Sequence, residues 1–212
     1  MYDNILNINK KHKKAARAIL EKIGASEFDK YIITISGEVA SGKASIARAL
    51  GIKLKKRGYK IKTIYLDNYY LIPPEERTEW RKKHGIDKVG PDELDWELIE
   101  KNIQDFREGN KSALPLVDLL NDNVDQVISD FKNIQILIVC GLYAVRIENV
   151  DLKVFIELTY KETREEQIDS EKEELDEFRM QVLEQEHKAV ISLKNKADYF
   201  IDFDNIMETF HL

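Results

Sequence analysis

Three features that are scarce or missing narrow the class of protein first. The chain has a single cysteine, Cys140, which excludes an internal disulfide and is typical of a reducing compartment. No apolar run approaches the roughly 20 residues that a membrane-spanning helix needs. The amino-terminal stretch MYDNILNINKKHKK lacks the apolar core of a secretory signal peptide. These absences predict a cytoplasmic protein that does not cross a membrane.

An excess of basic residues is also missing. The 212 residues include 33 lysines and arginines against 39 acidic residues, a net charge of −6. A general nucleic-acid binder needs a basic surface to displace counterions from phosphates, so no nucleic-acid partner is expected. The length allows one well-filled domain. We predict a single domain over residues 1–212, with an amino-terminal helical part (1–28) and a lid-like segment (160–180); whether it forms a homo-oligomer stays open.

Apolar periodicity predicts strands that alternate with helices. Short runs rich in β-branched residues, such as YIITIS and IQILIV, are typical of buried parallel strands. The longer segments between them have helical spacing, so we predict an α/β fold with a parallel sheet covered by helices on both faces. The predicted strands are 31–36, 60–66, 134–139, 152–158 and 199–202, and the predicted helices are 10–24, 45–56, 75–83, 91–107 and, as one or two helices, 160–193.

The segment after the first predicted strand matches the G-x-x-x-x-G-K part of the phosphate-binding P-loop. Its glycines let the backbone turn so that successive N–H groups face a phosphate, and the following helix presents its positive end to the same anion. The lysine adds a point charge for the β- and γ-phosphates. The alternative is a strand-to-helix turn without a ligand, which the strand–loop–helix context disfavours. The predicted nucleotide-binding residues are Gly37, Glu38, Val39, Ala40, Ser41, Gly42, Lys43, Ala44 and Ser45.

One position of this loop departs from the P-loop pattern. The pattern places Ser or Thr directly after the lysine, because that hydroxyl coordinates Mg²⁺, but here the residue is Ala44. Ser45 follows one position later, and a rotation of about 100° per helical residue prevents it from taking the same place. Ser45 could still hydrogen-bond an α-phosphate. We therefore expect phosphate binding, and we assign no metal ligand.

Beyond the P-loop, several motifs follow one another: LDNYY, PDELDWELI, LPLVD, IVCGLYA and DLKVFIELT. In this combination the chain resembles the uridine kinase/phosphoribulokinase family of P-loop kinases over residues 31–202, and in particular its uridine kinase branch. The resemblance implies a P-loop NTPase fold with a five-stranded parallel sheet, strand 31–36 central and next to 134–139, and a helical lid. It also implies transfer of the ATP γ-phosphate to a nucleoside 5′-hydroxyl, with Mg²⁺ expected from the family.

The resemblance assigns the chemistry to two residues. Asp67, which follows the second predicted strand, would be the general base that accepts the proton of the acceptor hydroxyl, and Lys43 would hold the phosphates. A carboxylate at the end of a parallel strand near the P-loop does face the crevice where a γ-phosphate lies. The alternative is a loop aspartate that caps the next element, a common position for Asp.

The resemblance also implies residues that contact the substrates. Tyr69 and Tyr70 would line the acceptor pocket, although paired aromatic residues after a strand are as often core residues. Asp118 would lie near the sugar hydroxyls, or else serve as a turn residue. Arg164 would be the lid arginine that contacts phosphate.

Departures from the family pattern lie where the chemistry is expected. Cys140 replaces a metal-organising glutamate, Val89 replaces an acid, and Val117 and Leu119 replace aromatic residues that would grip a base. The lid keeps only Arg164 among several arginines and continues as the acidic EEQIDSEKEELDE, which would repel a triphosphate or simply form a solvated helix face. Two hypotheses follow: a weakened uridine kinase-like enzyme, or a catalytically inactive nucleotide-binding protein or redesigned scaffold on the same fold.

Overall fold

The computed structural model describes residues 8–25, 27–118, 123–169 and 176–204, in which helices and strands alternate along most of the chain. None of the helices in these ranges has an apolar stretch long enough to cross a membrane. The helices are α1 (Lys10–Ile23), α2 (Lys43–Lys56), α3 (Pro74–His84), α4 (Trp96–Glu108), α5 (Arg164–Asp169) and α6 (Glu177–Leu193). The strands are β1 (Tyr31–Ser36), β2 (Ile61–Tyr65), β3 (Lys111–Asp118), β4 (Asn123–Asp130), β5 (Ile136–Cys140), β6 (Leu152–Ile156) and β7 (Tyr199–Ile201).

Five of the strands form one parallel sheet in the order β2-β5-β1-β6-β7. The predicted five-stranded parallel sheet is therefore confirmed, and so is the pairing of the central strand β1 with β5. Both β5 and β6 are buried along their whole length, as expected for runs of β-branched and apolar residues covered on both faces. All five predicted strands are present, with ends that differ by at most two residues.

The predicted helices are mostly confirmed, with one boundary that is wrong. The helix predicted over 91–107 begins only at Trp96, because Pro91–Glu93 forms a separate helical turn. Asp95 then caps α4 by accepting the N–H of Leu98 at 2.9 Å. The predicted segment 160–193 contains two helices, α5 and α6, and residues 170–175 between them lie outside the described part.

An antiparallel hairpin of β3 and β4 lies between α4 and β5, and the sequence patterns did not predict it. Apolar residues are exposed on both faces of β4, with Val124 and Ile128 on one face and Val127 on the other. The sequence of β4 therefore lacks the alternation of buried apolar and exposed polar residues by which a half-buried strand is usually identified. The hairpin lies beside the edge strand β2 and forms one wall of a cleft described below.

The helix α1 runs beside α2 in the same direction. At their ends, Arg57 donates from Nη1 to the carbonyl of Gly24 at 3.1 Å. At their beginnings, His12 is packed against Gly42 so closely that a Cβ on the glycine would lie 2.6 Å from Nε2 of the imidazole. The apolar faces of both helices pack on the same side of the sheet, around Ile19 and Leu50. The amino end of α2, where the P-loop ends, is thus supported from outside by α1.

Candidate active site

The segment between β1 and α2 folds as a loop that closes on the amino end of α2. Gly42 caps the helix in a left-handed conformation (φ 83°), and Ala40 is also left-handed (φ 56°). Left-handed residues in such a loop turn neighbouring N–H groups toward one point, which is the geometry of an anion-binding nest. The dipole of α2 adds positive potential at the same place. The backbone of this loop therefore fits a phosphate group.

Two side chains of the loop also suit phosphate oxygens. Lys43, the first residue of α2, turns back across the loop and donates from Nζ to the carbonyl of Glu38 at 3.1 Å. Ser41 is buried, and its hydroxyl has no hydrogen-bond partner among the described residues. A buried hydroxyl without a partner is rare in proteins, and an ammonium group binds phosphate strongly. The predicted nucleotide-binding residues 37–45 thus lie together, in the loop and in the first turn of α2.

The carboxyl ends of β1, β5 and β2 lie side by side and bring the predicted base to the P-loop. Cys140 of β5 is level with Ile35 of β1 on one side and with Tyr65 of β2 on the other. Asp67 follows two residues after the end of β2, in the short helical turn Leu66–Tyr69, and it is exposed. Since parallel strands end at one edge of a sheet, Asp67 and the P-loop lie on either side of Cys140.

Cys140 and Ala44, the two positions at which the sequence predicts that a metal-organising group is missing, lie at this same edge. Cys140 is buried, and burial raises the pKa of its thiol to about 12, while the positive charge of Lys43 opposes this shift and the negative charge of Asp67 adds to it. The thiol is therefore protonated at neutral pH and is a poor nucleophile. Ala44, in the first turn of α2, presents a methyl group. Neither side chain is an oxygen ligand of the kind that Mg²⁺ binds.

The two tyrosines of the LDNYY segment have different surroundings. Tyr69 is buried, and its hydroxyl donates to Oδ1 of Asn102 at 2.8 Å. Tyr70 is half-buried, and its ring centre lies 3.6 Å from the guanidinium carbon of Arg77. Burial raises the pKa of Tyr70, and the charge of Asp67 is among those that add to the shift. Tyr70 thus lies close enough to Asp67 to respond to its charge, whereas the hydroxyl of Tyr69 is engaged inside the protein.

A cleft of about 310 Å³ lies between β2 and β3, next to these tyrosines. Asn68, in the turn that follows β2, links this turn to β3, because its Oδ1 accepts the N–H of Val117 at 3.3 Å. Asp118 is the last residue of β3, and only its backbone is described; Leu119 lies outside the described residues. The volume is at the lower end for small-molecule sites. The cleft is lined by Lys62, Thr63, Ile64, Tyr65, Asn68, Tyr69, Leu114, Pro115, Leu116 and Val127.

The predicted lid begins at a point that is hydrogen-bonded to the P-loop. Thr163 is buried, and its hydroxyl donates to the carbonyl of Val39 at 2.9 Å. Arg164 follows directly as the first, exposed residue of α5. The acidic stretch 165–177 continues from there, and its residues 170–175 lie outside the described part. The lid arginine therefore starts next to the loop on which it would act.

Two groups of buried charges near the site could not be predicted from the sequence. Glu38 is buried in the P-loop and is hydrogen-bonded to the backbone N–H of Tyr160 and to Nδ1 of His187. On the acceptor side, Arg81 pairs with Glu93 and with Glu186. Glu38 and His187 are 149 positions apart in the chain, and Arg81 and Glu186 are 105 apart, so no local pattern indicates these contacts. In the sequence, the unusual feature that could have drawn attention to one of these groups was the acidic residue Glu38 within the P-loop.

The chain is similar to known proteins in its sequence and in its fold. The sequence profile of the Phosphoribulokinase / Uridine kinase family matches residues 32–164. The uridine kinase of Mycoplasma genitalium is 30% identical over 135 residues, which is 62% of this chain and 62% of that protein. The uridine kinase of Ureaplasma parvum is 26% identical over 131 residues, which is 59% of this chain and 61% of the relative. The match thus spans about three fifths of the length of these curated relatives.

Solved structures resemble the chain over a larger part of its length. The phosphoribulokinase of Rhodobacter spheroides superposes with a TM-score of 0.64 and 12% identity, covering 85% of this chain and 74% of that one. A possible uridine kinase from Bacillus stearothermophilus superposes with a TM-score of 0.58 and 14% identity, covering 91% of this chain and 97% of that one. At such low identity the likeness shows the fold, and the fold is that of the P-loop kinases.

Proposed function

The chain belongs to the phosphoribulokinase/uridine kinase family of P-loop kinases, and from that premise we propose that it transfers the γ-phosphate of ATP to the 5′-hydroxyl of a nucleoside. The observation that carries the proposal is the position of Asp67. It lies just after the carboxyl end of β2, and the strand β5 separates β2 from β1, which leads into the P-loop. A carboxylate base and a phosphate-binding loop at one edge of the sheet are what phosphoryl transfer to a hydroxyl requires.

Each catalytic residue has a definite role in the proposed reaction. Lys43 exchanges its bond to the Glu38 carbonyl for one to the β- and γ-phosphate oxygens, where its charge offsets the charge that develops during transfer. Asp67 accepts the proton of the acceptor hydroxyl while the hydroxyl oxygen attacks the γ-phosphorus and ADP leaves. Arg164, at the beginning of the lid, contacts the transferred phosphate.

The acceptor is proposed from the relatives and from the cleft lined in part by Asn68 and Tyr69, which follow Asp67 in the chain. The similar proteins named above are uridine kinases, and the cleft between β2 and β3 has room for a group of nucleoside size. Tyr70 and Asp118 are the residues proposed to contact the sugar. Val117 is aliphatic at a position where the family pattern has an aromatic residue, so we expect weaker stacking on the base and a broader choice of nucleoside.

We propose that this reaction is slow, because two positions from which the family pattern would organise Mg²⁺ carry no oxygen. Ala44 and Cys140 supply no oxygen ligand, and the acidic stretch 165–177 lowers the positive potential around the transferred phosphate. The same observation favours the second candidate function, which is a nucleotide-binding protein of the same fold without catalysis. The two candidates share the P-loop site and differ in turnover.

The decisive experiment is an assay of ATP turnover over a panel of nucleosides, with and without Mg²⁺. We expect nucleoside-dependent formation of ADP in the unmodified protein, and its loss in Asp67→Asn with ATP binding retained. Asp29→Asn is the matched control, because Asp29 is an exposed aspartate that precedes β1, at the opposite end of the sheet. ATP binding without turnover for any nucleoside would establish the second candidate instead. No binding of ATP would contradict both.

A further inference from the structure

Glu38 is an unusual residue for a loop that is built to bind an anion. Its side chain is only 3% exposed, so a carboxylate is buried within the phosphate-binding segment. A buried carboxylate is costly unless hydrogen bonds satisfy its oxygens. Here both oxygens are satisfied: Oε2 accepts the backbone N–H of Tyr160 at 2.7 Å, and Oε1 lies 2.7 Å from Nδ1 of His187. The carboxylate therefore contacts the protein on the side of β6 and α6.

The bonds of Glu38, together with neighbouring ones, join the P-loop to α6, to the connection between β6 and α5, and to α5. His187 belongs to α6, and Tyr160 lies in the connection between β6 and α5. In that connection, Thr163 donates to the carbonyl of Val39, the residue after Glu38. Gln167 of α5 continues the chain of contacts, because its Nε2 donates to the carbonyl of Tyr160 at 2.6 Å and to Oγ1 of Thr163 at 3.1 Å. The P-loop, the base of the lid and α6 thus form one hydrogen-bonded unit.

The direction of the bond between Glu38 and His187 follows from the chemistry of the two groups. An ionised carboxylate can only accept, so Nδ1 carries the hydrogen and donates it. The ring of His187 also lies edge-on to the ring of Tyr160, with their centres 5.6 Å apart. The hydroxyl of Tyr160 in turn donates to Glu184 at 2.6 Å. The imidazole is therefore fixed in orientation by neighbours on two elements.

We infer that Glu38 and His187 are positioning residues for the nucleotide site, which hold the P-loop in its phosphate-binding shape and fix its position relative to the base of the lid. This inference rests on the proposed function, because it assumes that the loop binds the phosphates of ATP. In this role the carboxylate of Glu38 bonds to Tyr160 and His187 and is not itself a phosphate ligand. The carbonyl of Glu38 is where Lys43 donates, so a displacement of Glu38 also displaces the lysine. The lid arginine, one residue beyond Thr163, depends on the same unit.

The test is calorimetric measurement of ATP affinity in four variants. In His187→Leu the donor is lost while an apolar side chain fills the space, and we expect ATP binding about tenfold weaker, the factor expected for one charge-assisted hydrogen bond. In His187→Asn an amide donor takes the place of Nδ1, and most of the affinity should return. Glu38→Ala removes this contact and also the acceptor of the Tyr160 N–H, so it should weaken binding at least as much as His187→Leu. The double variant Glu38→Ala/His187→Leu should bind no more weakly than Glu38→Ala alone, since the contact between the two side chains is already lost.

Controls separate positioning from folding stability. Gln181→Ala changes an exposed residue of the same helix and should leave ATP affinity unchanged. Thermal unfolding without nucleotide gives the stability of each variant. Variants that unfold more easily but bind ATP with unchanged affinity in the folded state would overturn the inference and leave the proposed function intact. An unmodified chain that binds no ATP would overturn both. Equal loss of affinity in His187→Leu and His187→Asn would also overturn it.

Discussion

The guanidinium group of Arg81 binds both carboxylate oxygens of Glu93, at 2.7 and 2.8 Å, in the interior of the protein. A third contact of 3.2 Å joins the same group to Glu186 of α6. Glu93 in turn accepts the N–H of Gly90 through Oε2, which fixes the turn before α4. These contacts tie α3, the Pro91–Glu93 turn and α6 together behind the proposed acceptor side. All three charged side chains are almost fully buried.

We predict that Arg81→Met lowers the free energy of unfolding by about 3–5 kcal/mol, because it removes the cation that pairs with the buried carboxylate of Glu93 and with Oε1 of Glu186. Denaturation by urea at neutral pH measures the change. The control is Arg17→Met, which removes an arginine from the exposed ion pair with Glu21 and should cost less than about 1 kcal/mol. Similar losses for the two variants would show that the buried network contributes little.

We predict that Lys43→Ala weakens ATP binding by at least about 1.5 kcal/mol, the low end for a hydrogen bond to a charged group. The ammonium group already lies over the loop, bonded to the Glu38 carbonyl, so no large movement is needed to reach phosphate. Calorimetry with ATP, and with sulfate as a simpler anion, measures the difference. Lys56→Ala, at the far end of the same helix, removes an equal charge and should bind normally. Equal affinity in both variants and the unmodified protein would contradict the site.

Tyr69 and Tyr70 allow a test of which tyrosine contacts the acceptor. Tyr69→Phe leaves Oδ1 of Asn102 without its donor, so we predict a loss of about 1–2 kcal/mol in stability and an unchanged KM for the nucleoside. Tyr70→Leu should raise the nucleoside KM, because the charge of Asp67 acts on Tyr70 while the hydroxyl of Tyr69 is bonded to Asn102. Unfolding curves and initial rates measure the two effects. The assignment fails if Tyr69→Phe raises KM and Tyr70→Leu does not.

The strand, P-loop and α2 could be predicted from the sequence because each has a local cause. A β-branched run, two glycines and an apolar helical stripe lie in one short stretch, and β1 and the end of α2 occur where the patterns place them. The reason why the hairpin could not be predicted is also local. In β4 the apolar Ile128 is exposed and the polar Ser129 is buried, so the pattern is the reverse of a half-buried strand.

The buried polar contacts of the site could not be predicted because their causes are not local. Nothing near His187 in the chain indicates that its partner is Glu38, and nothing near Arg81 indicates Glu186. Such pairs form only after the sheet brings distant segments together. Asp67 was predictable only in part: its position at a strand end follows from the pattern, while its distance from a bound γ-phosphate does not. Its catalytic role, like those of Asp118 and Arg164, stays a prediction.

We predict a loss of stability in acid that depends on Asp105. The hydroxyl of Ser112 donates to this carboxylate at 2.6 Å, and this bond lowers the pKa of Asp105 below its ordinary value of 3.8. The folded protein therefore binds this proton less readily than the unfolded chain, so the contribution is full above about pH 4 and is lost as the pH falls through the lowered pKa. Ser112→Ala should flatten the acid side of the stability profile. An identical slope in the variant between pH 5 and pH 2 would contradict this account.

The last prediction concerns the metal ion. We expect the affinity for ATP to change by less than about threefold, roughly 0.6 kcal/mol, between Mg²⁺ and EDTA, because neither Ala44 nor Cys140 supplies an oxygen ligand. Turnover should also be slow. Ala44→Thr combined with Cys140→Glu should raise turnover by more than the product of the two single effects, since both groups would act on one ion. Initial rates at several Mg²⁺ concentrations measure the coupling.

Two matched variants make this test specific to oxygen ligands. Ala44→Val adds bulk at the same helical position without a hydroxyl, and Cys140→Met has about the size of Glu without an oxygen atom, so neither should restore a response to Mg²⁺. We expect the negative charge of the stretch 165–177 to limit the gain in the double variant, since acidic residues disfavour a triphosphate. An unmodified protein that already turns over a nucleoside at the roughly 1–100 per second usual for kinases would show that some other residue organises the ion, and the slow-kinase proposal would be wrong.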